Sequence, residues 1–173
     1  ELGCEPGAKV ASFLYNSNEY LEGILATFKL RAAPVNVNYR YVEDELLYLL
    51  DNSDTEILLF HGSLADRVDA VRDKASGLRA VVQVDDGSPH LDGALRYEDL
   101  IAENDPAARI DRSGDDLYLL YTGGTTGMPK GVMWRHDDLF GSLAPTVYPL
   151  AGFEIPTDAV TAGRLTADFL SSG

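Results

Sequence analysis

The residues best suited to chemistry lie in one eleven-residue stretch, YTGGTTGMPKG, which runs from Tyr121 to Gly131. It contains four glycines, three threonines and one lysine. Glycine lets a ligand approach the backbone closely, and consecutive amides in such a turn form a concavity that binds anions. Threonine hydroxyls and the Lys130 ammonium group add hydrogen-bond donors and a positive charge. The stretch therefore predicts a phosphate-binding loop. Its candidate ligand-binding residues are Thr122, Gly123, Gly124, Thr125, Thr126, Gly127 and Lys130.

The charge pattern around this stretch favours an anion. The chain carries 28 acidic residues and a net charge of −14, yet no Asp or Glu falls between Leu117 and His136. Lys130 and Arg135 both lie inside this acid-free segment, so a phosphate meets less repulsion there than elsewhere in the chain. The same net charge argues against a broad surface for nucleic acid.

Other phosphate-binding patterns fit the stretch less well. A P-loop phosphotransferase has the pattern G-x-x-x-x-G-K-[ST], in which the hydroxyl after the lysine holds magnesium. Here Pro129 precedes Lys130 and Gly131 follows it, so both positions depart from that pattern. The sequence also has no Rossmann G-x-G-x-x-G. The simplest structural alternative is a Gly/Thr-rich hairpin that only links a strand ending at Thr122 to a strand through 131–134.

Apolar runs that alternate with helical patterns must position this loop. Strands are predicted at 10–15, 34–38, 57–60, 80–84 and 117–121. Helices are predicted from an N-cap at Asn18 to Phe28, around 42–50, from an N-cap at Ser63 to a stop at Gly77, and over 97–104. This order predicts an α/β fold with a mostly parallel sheet and packed helices. Ligands bind at the carboxyl ends of strands in such sheets, so a loop directly after the last strand is well placed.

Residues outside the loop are interpreted structurally. Asp137 and Asp138 follow His136 like the first turn of a helix, so a role in the turn or helix cap is favoured for His136 over acid–base catalysis. Neither Cys4 nor the other two histidines show the spacing of a metal site, and no catalytic residue or metal ligand is assigned. Core packing is predicted for Tyr15, Tyr20, Tyr39, Tyr48 and Trp134, and solvated turns for the acidic pairs 85–86 and 115–116.

Composition indicates a globular chain in a reducing compartment. The 173 residues are 45% hydrophobic, which is enough for a sizeable core. Cys4 is the only cysteine, so no internal disulfide can form and a cytoplasmic location is expected. No apolar run is long enough for a transmembrane helix. The chain starts at Glu1 without an initiator methionine and shows no clear finishing element near Gly173, so we expect a fragment of a longer chain.

The loop resembles a known family signature. The segment 122–131 is similar to T-S-G-T-T-G-x-P-K-G, the phosphate loop of the adenylate-forming superfamily, with Gly123 where serine is common. The segment 28–50 is similar to the family pattern L-K-A-G-A-V-x-x-P-x-N-x-R and its continuation, and 131–139 to G-V-x-x-T-H-x-N-L. Asn36 and Asn38 resemble the acyl-CoA synthetase branch more than the peptide-synthetase adenylation domains.

The resemblance implies a two-step reaction. A carboxylic acid, fatty or related, attacks the α-phosphorus of Mg²⁺-ATP to give an acyl-adenylate, and the thiol of coenzyme A then displaces AMP. Thr122 to Lys130 would wrap the β- and γ-phosphates. The implied partners are therefore the acid, ATP and coenzyme A, with no nucleic acid.

The resemblance also implies an incomplete site. In the family, the magnesium-binding glutamate, the ribose-binding aspartate and the late lysine of the C-terminal domain all follow this loop, and none has a counterpart before Gly173. Residues 1–173 are therefore expected to be part of the large N-terminal AMP-binding domain, with the C-terminal domain absent and the chain inactive alone. A non-catalytic module that binds a nucleotide or a partner is the alternative.

Overall fold

A largely parallel sheet forms the centre of the structure, a computed structural model that describes residues 2–124 and 127–171. Within these residues the strand order is β5-β4-β3-β1-β2-β6-β7. The strands are β1 (Lys9–Phe13), β2 (Ala33–Asn36), β3 (Thr55–His61), β4 (Ala80–Val84), β5 (Leu95–Arg96), β6 (Leu117–Gly124) and β7 (Gly127–Arg135). The helices are α1 (Asn18–Lys29), α2 (Glu43–Asn52), α3 (Ala65–Arg72), α4 (Tyr97–Glu103), α5 (His136–Leu150) and α6 (Ala159–Ser171). The predicted α/β fold is confirmed.

The topology brings the carboxyl ends of the parallel strands to one edge of the sheet. Strands β1 to β6 pair in parallel, and only β7 runs antiparallel, against β6. β1 lies between β2 and β3, so the chain moves from β1 to β2 and then crosses back over β1 to β3. Because β6 is parallel to β2, the turn that follows β6 emerges at the same edge.

Helices cover both faces of the sheet and bury two apolar clusters. One face packs β-strand side chains against α2 and α3, and its fully buried members include Phe13, Val35, Leu46, Phe60 and Val68. The opposite face packs against α1 and α4 and includes Val10, Leu14, Ile57, Val82 and Val84. Each such side chain contributes about 1.5–3 kcal/mol of transfer free energy. No helix among the described residues is long and apolar enough to cross a membrane.

Two helix starts differ from the sequence prediction. Ser17, not Asn18, caps α1, since its Oγ accepts a hydrogen bond from the Tyr20 amide at 3.3 Å. Ser63 does not cap α3; it lies in a short 3₁₀ turn, and its amide donates to the Asp86 carboxylate at 2.9 Å. Helix α3 starts only after this turn and ends well before Gly77. At Ser63, a hydrogen bond to a carboxylate distant in the sequence, that of Asp86, therefore takes the place of the predicted local cap.

The core packing predicted for Tyr15 and Tyr39 is wrong. Tyr15 and Tyr39 are 39% and 36% exposed, because each follows the carboxyl end of a strand and lies beyond the covered part of the sheet. Their rings contact each other with centroids 5.0 Å apart, and Tyr15 also contacts the buried His61. Tyr20, Tyr48 and Trp134 are half-buried.

The apolar side chains of α1 are only partly buried. Leu21 and Leu25 are largely exposed, and the residues of α1 that are buried are Gly23 and Thr27. A Cβ on Gly23 would lie 3.0 Å from the Leu59 side chain, so this glycine sets how closely α1 approaches the sheet.

Of the acidic pair at 115–116, only Asp115 has the solvent-exposed side chain that was predicted for both. The Asp116 side chain is 8% exposed and accepts hydrogen bonds from Arg31 Nε at 3.1 Å and Arg31 Nη2 at 3.0 Å. Arg31 lies just after α1 with φ of 60°, a left-handed conformation that is uncommon for a residue with a side chain. The ion pair therefore ties the α1–β2 connection to the start of β6.

We predict that Asp116→Asn lowers the free energy of unfolding by about 2 kcal/mol at pH 7, because it leaves Arg31 without its charged acceptor. The hydrogen bonds from Arg31 hold the pKa of Asp116 below its usual value. The contribution is then fully present above the unfolded pKa of about 4 and is lost as the pH falls through the lowered folded pKa. Urea unfolding at pH 7 and at successively lower pH values measures it.

Asp115→Asn is the matched control, since its side chain is 75% exposed and an exposed ion pair contributes little. A loss of stability in Asp116→Asn that does not shrink as the pH falls below about 4 would contradict the assigned ion pair.

Candidate phosphate-binding hairpin

Strands β6 and β7 form a hairpin that projects from the carboxyl edge of the sheet. Its ladder pairs Tyr121 with Gly131, Thr122 with Lys130, and Gly124 with Gly127. The pairing of β6 with β2 stops at Leu120, so the last four residues of β6 extend about 13 Å beyond it. Within the described residues, the ladder beyond Leu120 is formed by β6 and β7 alone.

An irregularity in the ladder explains the proline in this hairpin. Between the Thr122–Lys130 and Gly124–Gly127 pairs the register shifts, which leaves Gly123 opposite both Met128 and Pro129. A bulge of this kind accommodates proline, which has no amide to donate to a ladder. Gly127 has φ of 145°, a conformation that residues with a side chain rarely adopt.

Thr122 and Lys130 offer donors on one face of the hairpin. They are direct cross-strand partners, so their side chains project on the same side with Cβ atoms about 5 Å apart. Both are exposed, and Lys130 forms no ion pair with any residue that the structure describes. Within the part of the chain that the structure describes, no atom lies within 4 Å of where a Cβ on Gly123 would be. A hydroxyl, an ammonium group and accessible backbone can therefore meet one anion here.

The structure brings most of the predicted site residues together. Five of them lie in the projecting part of the hairpin: Thr122, Gly123, Gly124, Gly127 and Lys130. Thr125 and Thr126 lie outside the described residues, so their place in the site stays a prediction.

Arg135 does not belong with Lys130, although the acid-free segment contains both. Arg135 lies five positions further along the extended strand, about 17 Å from Lys130. Arg135 pairs with Leu117 near the start of β6 and donates to Asp115 through Nε at 2.9 Å, with Asp138 at 3.4 Å. The hydrogen bond from Arg135 to Asp115 raises the pKa of the guanidinium. The cation available for a phosphate at the hairpin is Lys130.

His136 takes a structural place at the far end of β7. Arg135 is the N-cap of α5, and His136 is its first residue. Its amide donates to the Asp116 carbonyl at 3.0 Å, and its ring packs edge-on against Phe28 with centroids 4.6 Å apart. The imidazole is therefore separated from the hairpin end by the length of the strand, which agrees with its structural interpretation.

An open apolar groove lies beside α5, away from the hairpin. It has a volume of about 460 Å³ and is lined by Phe28 and by α5 side chains that include Phe140, Leu143 and Val147. Among the described residues that line it, Arg112 is the one with a permanently charged basic side chain. This groove therefore does not offer the donors that a triphosphate needs.

The described residues do not provide a metal site. No three or more His, Cys, Asp or Glu among them are placed to hold a metal ion, and the hairpin carries no carboxylate. Mg²⁺ prefers oxygen ligands and often binds through substrate phosphates. The residues present do not fit a dedicated magnesium site.

Sequence reasoning missed the residues that hold the base of the hairpin. The Tyr121 amide donates to Asn36 Oδ1, and its hydroxyl donates to Asn52 Oδ1, both at 2.7 Å. A polar residue at the end of the apolar strand β2 is the one signal that could have indicated Asn36. Nothing local in the sequence links either asparagine to Tyr121.

Comparisons with known proteins agree on one family. The sequence pattern of the family described as AMP-binding enzyme matches residues 1–163. The chain is 44% identical over 156 residues to a 3-oxocholest-4-en-26-oate--CoA ligase of Rhodococcus rhodochrous, which covers 88% of the chain and 28% of that protein. It is 47% identical over 131 residues to the medium-chain acyl-CoA ligase Mig of Mycobacterium avium, which covers 74% of the chain and 24% of that protein.

Solved structures share the fold. An anthranilate CoA ligase, AuaEII, in complex with anthranoyl-AMP is 25% identical with a TM-score of 0.77, over 84% of this chain and 28% of that one. A fatty acyl CoA synthetase of Mycobacterium tuberculosis is 26% identical with a TM-score of 0.60, over 78% of this chain and 25% of that one. The chain spans about a quarter of the length of the curated relatives it matches. The family match extends over nearly the whole chain and includes the hairpin, so the chain belongs to the AMP-binding enzyme family.

Proposed function

We propose that this chain is part of an AMP-forming acyl-CoA ligase and that its β6–β7 hairpin binds the β- and γ-phosphates of ATP. Residues 1–173 would then form part of the N-terminal AMP-binding domain, with the rest of that domain and a C-terminal domain supplied by further chain. The short share of each relative that the chain covers supports this division.

The observation that carries the proposal is the pairing of Thr122 with Lys130 on an exposed hairpin at the carboxyl edge of the sheet. Carboxylates are absent from the sequence between Leu117 and His136, so Lys130 keeps its charge available for a ligand. Phosphate attracts both the ammonium group and the backbone amides of a glycine-rich turn.

The chemistry assigned to the hairpin is electrostatic. In the first step a substrate carboxylate oxygen bonds to the α-phosphorus of ATP, and the bond to the bridging oxygen breaks to release pyrophosphate. Negative charge builds up on the departing β- and γ-phosphates, where Lys130 and the Thr122 hydroxyl would stabilise it. In the second step the sulfur of coenzyme A attacks the acyl carbon and releases AMP.

The names of the relatives support a proposed substrate class. Their names include a medium-chain acyl-CoA ligase and ligases that act on medium- and long-chain fatty acids and on 3-oxocholest-4-en-26-oate. We propose an apolar carboxylic acid, fatty or related, with ATP and coenzyme A as co-substrates and the cytoplasm as the location. Mg²⁺ would enter bound to ATP, and we assign no step to it because the described residues do not fit a magnesium site.

Lys130→Ala in the full-length enzyme should weaken ATP binding about tenfold to a hundredfold, because it removes a charge-assisted hydrogen bond to phosphate. Isothermal titration with ATP measures the change. Lys74→Ala is the matched control, since Lys74 is an exposed lysine on the connection after α3, and it should leave affinity unchanged. Equal affinities for the Lys130 variant and the wild type would remove this lysine from the site.

The full-length protein should catalyse ATP–pyrophosphate exchange that depends on an added fatty acid, whereas the 173-residue chain alone should not. Radiolabelled pyrophosphate incorporated into ATP is the readout. ATP binding without exchange by the full-length protein would favour a non-catalytic nucleotide-binding module. Exchange by the isolated chain would contradict the division of the site between this chain and a further segment.

A further inference from the structure

The amide of Tyr121 lies where the sheet stops supporting the hairpin. β2 pairs with β6 only through Val35–Leu119 and Asn36–Leu120. The next amide along β6 belongs to Tyr121, and it donates to the side-chain Oδ1 of Asn36 at 2.7 Å. The Asn36 side chain thus extends the support of β2 by one residue, up to the position just before Thr122.

The hydroxyl of the same tyrosine is held by a second element. It donates to Asn52 Oδ1 at 2.7 Å, and Asn52 is the last residue of α2. Tyr121 is only 6% exposed. Burial raises the pKa of its hydroxyl, so the hydroxyl keeps its proton and remains a donor. The base of the hairpin is therefore tied to α2 as well as to β2.

The ring of Tyr121 also depends on the glycine opposite it. Gly131 is its ladder partner, and a Cβ there would lie 2.9 Å from two ring carbons of Tyr121. Such a contact is too close to be accommodated without movement. The missing side chain at Gly131 lets the ring lie against β7, so one residue contacts both strands of the hairpin.

We propose that Tyr121 is a positioning residue: held by Asn36 and Asn52, it sets the direction in which the hairpin leaves the sheet and so places Thr122 and Lys130 for ATP. Since Lys130 is the ladder partner of Thr122, a tilt at Tyr121 displaces both donors together. The effect on ATP rests on the proposed function, but the effect on the hairpin itself does not.

Tyr118 provides a matched control on the same strand. It lies three residues earlier in β6 and therefore on the opposite face, where its ring packs edge-on against Phe28 with centroids 5.8 Å apart. Burial raises the pKa of its hydroxyl to about 12. Tyr118→Phe removes a hydroxyl from β6 as Tyr121→Phe does, but at a distance from the base of the hairpin.

The first experiment measures amide hydrogen exchange in the full-length protein without any ligand. Tyr121→Phe and Asn52→Ala should each speed exchange in the 121–131 segment about tenfold, the effect of losing the partly buried Tyr121–Asn52 hydrogen bond that resists local opening. Exchange in β1 and β3 should not change, and Tyr118→Phe should leave the hairpin as in the wild type. Unchanged hairpin exchange in Tyr121→Phe would overturn the proposal, whatever the protein's activity.

The second experiment separates positioning from general stability by kinetics. Tyr121→Phe should lower kcat/KM for ATP about tenfold while the KM values for the acid and for coenzyme A stay constant, because a small misplacement of binding groups is costly only for the ligand they hold. The Tyr121→Phe/Asn52→Ala double variant should lose no more than either single variant, since both remove one hydrogen bond.

Additive losses, or a lowered melting temperature with unchanged kinetics for ATP, would overturn the positioning role. Failure of the wild type to catalyse pyrophosphate exchange would refute the proposed function alone. The amide hydrogen-exchange experiment would still decide whether Tyr121 orders the hairpin.

Discussion

The candidate site depends on the short parallel pairing of β6 beside β2. Only two residue pairs join the strands, so contacts at both ends of the pairing must fix it. Arg31 and Asp116 tie the start of β6 to the α1–β2 connection, and Asn36 holds the amide of Tyr121 at the other end. Tyr121 is the last residue fixed in this way, and it sets the direction of the hairpin beyond it. The contacts at the base of the hairpin therefore say more than its glycines about where a ligand is held.

Among the described residues, charge is distributed so that Lys130 stays without an ion pair at the hairpin. The chain has a net charge of −14, but carboxylates near the start of β6 form ion pairs with nearby arginines. Asp116 pairs with Arg31, and Asp115 and Asp138 pair with Arg135. These pairs lie at the opposite end of the two strands from Lys130. An anionic ligand that approaches the hairpin therefore meets an exposed ammonium group with few competing carboxylates.

The sequence predicted strands β1 to β4 and β6 well, because these strands follow from local patterns. That the stretch after β6 binds phosphate stays a prediction. Continuous apolar runs indicated the parallel strands, and the Gly, Thr and Lys residues indicated the turn. What failed was decided by tertiary contacts. The Ser63 amide donates a hydrogen bond to Asp86, 23 residues away, and Ser63 does not cap α3. Lys130 and Arg135 share an acid-free segment, but an extended strand separates them and turns their side chains to opposite faces.

Local sequence patterns also could not predict which aromatic residues are buried. Tyr15 looked like the continuation of a buried strand, yet it lies past the end of β1 and is exposed. The two asparagines that hold Tyr121 are 85 and 69 residues away in the chain. Only the register of β2 against β6 and the place where α2 ends bring them together, and neither could be read from residue spacing.

The central claim is that the β6–β7 hairpin binds the triphosphate of ATP. Hydrogen exchange of the full-length protein with ATP, pyrophosphate or adenosine tests it most directly, because the three ligands separate phosphate contacts from contacts to the nucleoside. The account predicts that ATP and pyrophosphate slow exchange in the 121–131 segment and that adenosine does not. Protection of other segments by ATP with the hairpin unchanged would contradict it.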